Sequence, residues 1–287
     1  MTNQQFLKEI HQYIDNQYKQ FEQYQQIVKS ILLEFDRLCQ KKNIKYVLAY
    51  GNAIGAVRDH GQLPWDYDVD LLVSFDEKKE LIEALQSELS EDFYYVYHDN
   101  TPRYPAICLR VCKKGYTWLA FHVDVFFYTG APDSMKRRNV IVRKIIKYRS
   151  VSVGKNYPAH RLEKTNPTFF GRLQYHLWKI KHLFTPADRV KTYMEEIGGK
   201  YPVAKSNYIV TFGGIKVSSF KKELFEPLLC NVDGYQLPIP KGYDEYLREV
   251  YRDYMSYLPV NKRFEEFYKM SQIVEKRQKI YEQQSSK

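Results

Sequence analysis

Asp66, Asp68 and Asp70 stand two residues apart in the stretch PWDYDVDLLVSF, and a fourth acid, Asp124, lies inside the apolar run AFHVDVFFY. On an extended chain alternate side chains share a face, so the first three carboxylates would project together at spacings of roughly 7 Å. Ionised acids that close raise one another's pKa, and no basic residue beside them in the sequence offsets it. A hard divalent cation does. Mg2+ takes oxygen ligands and completes its shell with substrate phosphates. An exposed edge strand could also carry a row of acids, but the run Leu71-Leu72-Val73 that follows has the character of a central strand. Asp124 needs a partner or a metal, because an isolated charge in a core is costly. His122 shares its strand face and is a candidate site-lining residue, with a purely structural histidine as the alternative reading.

Upstream, Gly51-Asn52 follows a strand-like run and opens a short helix. Glycine permits close approach of the backbone to a ligand, and N–H groups at a helix start favour phosphate. Gly51 and Asn52 are therefore candidate phosphate-binding residues, with Arg58 as a nearby charge clamp.

The elements that must position these groups follow from periodicity. Residues 1–42 read as helix, with Ile27, Val28, Ile31, Leu32, Phe35 and Leu38 at helical spacing. Residues 44–50 and the stretch YDVDLLVSF read as strands, and Asp76 caps the helix after them. AICLRVC and YTWLAFHVDVFFY form a hairpin joined by Lys113-Lys114-Gly115. Helices are expected over FFGRLQYHLWKIKHLF and TPADRVKTYMEEIGG, and over most of the chain from Gly242 onward. Tyr243, Tyr246, Tyr251 and Tyr254 fall at helical spacing and read as packing. The expected architecture is α+β, a mixed β-sheet flanked by helices with a mostly helical C-terminal half. Residues 1–27 would form a helical arm, 28–270 the domain and 271–287 a polar tail.

Lysine and arginine outnumber acids by 44 to 34, giving a net charge of +10 over 287 residues. That balance favours anionic partners without choosing among them. The basic stretch 136–149, with Lys136, Arg137, Arg138, Arg143, Lys144, Lys147 and Arg149, could meet an anionic membrane or a phosphorylated acceptor. The four cysteines show no zinc spacing, and the N-terminus lacks a signal-peptide pattern. The expected location is the cytoplasm, at the inner face of the plasma membrane.

Together these segments resemble the LicD family of the nucleotidyltransferase-fold superfamily. The resemblance is carried by Tyr50-Gly51, Gly55-Ala56, Arg58, Pro64-Trp65-Asp66 with Asp68 and Asp70, the HVDVF strand at 122–126, and the segment 240–259. Asn52 stands where the family has Thr or Ser, and Tyr67 where it has Asp. The resemblance implies transfer of phosphocholine, glycerol-phosphate or ribitol-phosphate from a CDP-activated donor to a hydroxyl of a cell-surface glycan, free or lipid-linked: teichoic acid, capsule or lipopolysaccharide. CMP would leave. It implies Mg2+, with Mn2+ as a substitute, held by Asp68 and Asp70. Asp124 would be a further ligand or the base, and Asp66 a ligand to a second metal or a support. The rival readings are a nucleotidyltransferase that attaches NMP to a small molecule or protein, and a non-catalytic nucleic-acid-binding or scaffold protein. No nucleic acid is expected as a partner, since no RNA- or DNA-binding motif is present.

Overall fold

Val69–Ser74 (β2) is hydrophobic on both faces, and that fixes its place at the centre of a mixed sheet. The computed structural model describes residues 3–63, 65–101, 104, 106–156, 169–213 and 219–285, so Pro64 of the sequence motif lies outside them. β2 pairs antiparallel with Tyr46–Leu48 (β1) and parallel with His122–Ala131 (β5). Between β2 and β5 the chain makes helix α3 (Lys78–Glu88) and strands β3 (Phe93–Val96) and β4 (Leu109–Lys113). β4 then pairs antiparallel with β5, with Cys112 opposite His122. The expected hairpin is therefore present. Its connection is longer than Lys113-Lys114-Gly115, because Thr117–Phe121 fold into turns before β5 begins.

Helix α1 (Asn3–Lys42) covers one face of the sheet. Its buried residues Phe21, Val28, Ile31, Phe35 and Leu38 join Val69, Leu71 and Val73 in one core. Phe21 is fully buried and Tyr24 stacks edge-on against Phe121. The helix is thus continuous with the core from Phe21 onward, rather than free up to residue 27. Leu72 and Phe126 face the other way, into a second core with Ala49, Tyr50, Tyr246 and Leu247.

The C-terminal half is less helical than its sequence suggests. After α4 (Met135–Asn156), α5 (Phe169–Lys181) and α6 (Arg189–Lys200) come four strands. β6 (Tyr208–Thr211) extends the main sheet from β5, and β7 (Ser219–Lys221) pairs with β6. β8 (Pro227–Val232) and β9 (Tyr235–Pro240) make a separate hairpin. Its turn residues Asp233 and Gly234 both have positive φ, the conformation an Asp-Gly pair favours in tight hairpins. Helices α7 (Tyr243–Tyr251) and α8 (Val260–Ser285) close the chain. The segment 271–287 is helical through Ser285 and not a detached tail, since Val274 is fully buried and Gln278 Oε1 accepts the Thr117 N–H at 3.1 Å. No described helix is long and apolar enough to cross a membrane. All four cysteines are free thiols.

Candidate active site

The strand expected over residues 67–75 begins only at Val69. The preceding main chain is diverted to side chains. Asp66 O accepts from Gln25 Nε2 at 2.6 Å and from Gln62 Nε2 at 3.2 Å, and Asp68 O accepts from Asn52 Nδ2 at 3.1 Å. Asp66 and Asp68 therefore sit on the entry loop, and only Asp70 is on β2. The parity argument applies to Asp70 alone, yet all three acids reach the same place. They line one open cavity of about 650 Å³ together with Asp124, Arg149 and Tyr251. Asp70 lies directly opposite Asp124 in the parallel pair, and Arg110 lies opposite Asp124 on its other side, so three charged residues form one row across adjacent strands.

Asn52 holds the two carboxylate-bearing segments in register. Its amide donates to Asp68 O and its Oδ1 accepts the Asp70 N–H at 2.7 Å. The N–H groups of Tyr50, Asn52 and Ala53 are also engaged, with the Tyr246 hydroxyl for the first and Ala49 O for the other two. The side chain and N–H of Asn52, a residue expected at a phosphate, brace the aspartate loop in this structure. Asn52→Ala should lower stability by about 1–3 kcal/mol in urea titration, as buried main-chain groups lose their partners, and reduce turnover with it. Gly51 is required by close approach. A Cβ there would stand 2.8 Å from Asp66 Oδ2, so its absence of a side chain serves the carboxylate. The turn itself is bent by Tyr50, whose φ of 49° is left-handed and whose hydroxyl donates to Gly213 O at 2.8 Å.

Arg58 lines the cavity with its donors occupied. It pairs with Asp59 at 2.9 Å, donates to Tyr254 O at 3.1 Å and stacks over Tyr257 at 4.1 Å. The expected phosphate clamp is in the structure a strap that fastens the segment after α7 across the site. Arg149 is the cationic wall residue that the sequence hid inside the basic stretch. That stretch is not one solvated face either. Arg138 is buried, stacks on Tyr208 at 3.7 Å and donates to Ser219 Oγ at 2.8 Å. Tyr251 and Tyr254 line the cavity, whereas Tyr246 is buried as packing.

Arg110 is the residue that sequence reasoning missed. Its Nε donates to Asp124 Oδ1 at 2.7 Å, and Nη2 lies 3.4 Å from Oδ2. His122 Nε2 stands 3.4 Å from the same Oδ1. Burial would raise the Asp124 carboxyl, but His122 and Arg110 together hold it well below the usual range. His122 sits behind Asp124, does not line the cavity, and its Nδ1 is buried with no hydrogen-bond partner among the described residues. Burial, then the Asp68 charge, push the Asp66 carboxyl well up; burial, then Asp68 and Asp124, do the same to Asp70. The cavity thus carries negative charge that its own cations do not balance.

Among the described residues no three Asp, Glu, His or Cys side chains converge closely enough to hold an ion by themselves. Mg2+ does not need such a cage, since it binds through one or two carboxylates plus phosphate oxygens and water. Asp68 and Asp70, with uncompensated charge in one open cavity, have the chemistry of such a donor set.

Residues 43–177 match a family model described as LicD/FKTN/FKRP, nucleotidyltransferase domain. Over a longer span, the chain is 26% identical across 251 residues to the lipopolysaccharide cholinephosphotransferase LicD of Haemophilus influenzae, covering 82% of this chain and 91% of that protein. The matched domain contains the cavity residues Asp66, Asp68, Asp70, Asp124 and Arg149, together with Arg110. The chain thus carries a LicD-family domain over residues 43–177.

Proposed function

We propose that this protein is a phosphotransferase that moves phosphocholine from a CDP-activated donor to a hydroxyl of a cell-surface glycan. The reading is carried by one observation: four aspartates from a loop and two paired strands line a single cavity walled by Arg149. The relative's activity on lipopolysaccharide supports the choice of substituent and of acceptor class. The mixed sheet is read as nucleotidyltransferase-like, with its acids at the start of two parallel strands.

In the reaction, the acceptor hydroxyl oxygen bonds to the phosphorus that bears choline. The bond from that phosphorus to the bridging oxygen breaks, CMP leaves with the electron pair, and the hydroxyl proton is lost. Asp68 and Asp70 are the residues that would hold Mg2+, which when bound supplies positive charge against the diphosphate oxygens. Arg149 adds fixed positive charge to the cavity wall. Asp124, kept ionised by Arg110 and His122, is a weak base and serves better as a fixed charge beside Asp70. Asn52 and Gly51 keep the aspartate loop against the strand end, so the carboxylates need little rearrangement on binding.

The test is CMP release from CDP-choline, CDP-glycerol and CDP-ribitol with a lipopolysaccharide acceptor. Mg2+-dependent release from CDP-choline, lost in EDTA and restored by Mg2+, is the expected result. Pyrophosphate release from a nucleoside triphosphate without CMP would move the protein to the NMP-transfer reading.

A further inference from the structure

One helix of this protein presents an apolar stripe to the outside. On α5 and the turns that extend it, Leu173, Leu177, Ile180, Leu183 and Phe184 are all exposed. Ile180 is 70% and Phe184 94% exposed. Leu177 follows Leu173 by four residues, Ile180 follows Leu177 by three, and Leu183 and Phe184 follow Ile180 by three and four, which keeps them on one side of a helix. The face carrying Trp178 and His182 is turned inward, with the two rings 5.2 Å apart and His182 buried. Single exposed apolar residues are ordinary on protein surfaces, but five aligned along one short helix and the turns that extend it form a patch that calls for a partner.

The charge around the stripe says which partner. From Lys164 through Ala187 there is no acidic residue, while Arg172, Lys179 and Lys181 lie within the segment. Lys179 and Lys181 are exposed beside the stripe. At 13 residues the helix is about 20 Å long, too short to span a bilayer and suited to lying in its surface. A second copy packed stripe to stripe would bring lysines against lysines. An anionic bilayer satisfies both features at once: acyl chains for the leucines, isoleucine and phenylalanine, phosphate headgroups for the bases.

We propose that α5 is an interfacial anchor that docks the protein on an anionic membrane surface. The end of α5 is tied to α4, since Lys155 Nζ donates to Leu183 O at 3.3 Å and to Thr185 O at 2.6 Å. α4 adds exposed Lys136, Arg137, Arg143, Lys144 and Lys147 to the electrostatic attraction. The same helix carries Arg149 into the catalytic cavity. A bilayer held at α5 therefore connects through α4 to one wall of the site, as delivery of a membrane-borne acceptor requires. The anchor itself does not depend on the proposed chemistry.

Flotation of the full chain with phosphatidylcholine vesicles, with and without phosphatidylglycerol, tests this. The chain should float with the anionic vesicles and not with the neutral ones. The triple variant Leu177→Glu, Ile180→Glu, Phe184→Glu should lose at least about tenfold in partitioning, while its circular dichroism is unchanged. Undiminished flotation of the triple variant overturns the proposal, as does failure of the parent to float. So does a parent dimer in sedimentation that the triple variant makes monomeric without any lipid binding. Should the triple variant not fold, Phe184→Trp decides. Quenching of its added emission by brominated acyl chains supports insertion, and unquenched emission overturns it.

Discussion

Asp70→Asn is expected to reduce CMP release by at least about a thousandfold while leaving the protein folded and no less stable. The side chain is nearly isosteric, and the backbone of residue 70 is held independently, its N–H by Asn52 Oδ1 and its carbonyl by the Ala49 N–H at 2.9 Å. What is lost is the charge. In the folded protein burial, Asp68 and Asp124 raise the Asp70 carboxyl well above its ordinary 3.8. A raised folded value means that the folded state holds the proton more tightly than the unfolded chain. The resulting stability is fully present below pH 3.8 and is lost as pH rises through the folded value. At neutral pH the ionised group therefore weighs against the fold, and asparagine removes that burden. Thermal melts should show the variant at or above the parent near pH 7 and equal to it below pH 3.8. An active variant would remove Asp70 from the chemistry. A strongly destabilised one would make it a structural residue.

Arg110→Met should behave in the opposite way, losing about 3–5 kcal/mol of stability because it strands a buried carboxylate. Both Asp124 oxygens face the guanidinium, and the arginine side chain is itself largely buried against Trp118, 5.6 Å from the ring. Asp124→Asn in the Arg110→Met background should restore most of the loss, since the uncompensated charge is then gone. Urea unfolding of the two single variants and the double variant measures this coupling. If the double variant is no better than Arg110→Met alone, the arginine acts through packing and not through Asp124.

The contrast explains what the sequence disclosed and what it withheld. Asp66, Asp68, Asp70 and Asp124 were visible because acids next to apolar strand residues violate the usual pattern, and such violations concentrate at sites. Arg110 broke no pattern. An arginine in the short strand LRVCK reads as an outward-facing residue, and only the pairing of β4 with β5 sets it against Asp124. Arg149 was submerged in a run of seven basic residues, of which the fold buries Arg138 and turns Arg149 into the cavity. The strand boundary at Val69 was displaced by side chains from α1 and α2 (Tyr50–Ile54) that take the backbone groups of Asp66 and Asp68. The four C-terminal strands are three to six residues long, and β8 and β9 contain prolines that obscure alternation. The turn between β8 and β9 is Asp233-Gly234, the kind of pair that tight hairpins favour.

The hydrogen bond from the Tyr50 N–H to the Tyr246 hydroxyl, 3.1 Å, and the Arg58 strap to Tyr254 O each join residues 196 apart in sequence. The sharp bend beneath Gly51 is thus finished by a helix far downstream in the chain. A fragment ending at residue 177 would keep Asp66, Asp68, Asp70 and Asp124 and still have an unbraced bend and one open side. During synthesis Asp66, Asp68, Asp70 and Asp124 are present long before the pocket is, so the site is completed only once residues 246–258 have joined it.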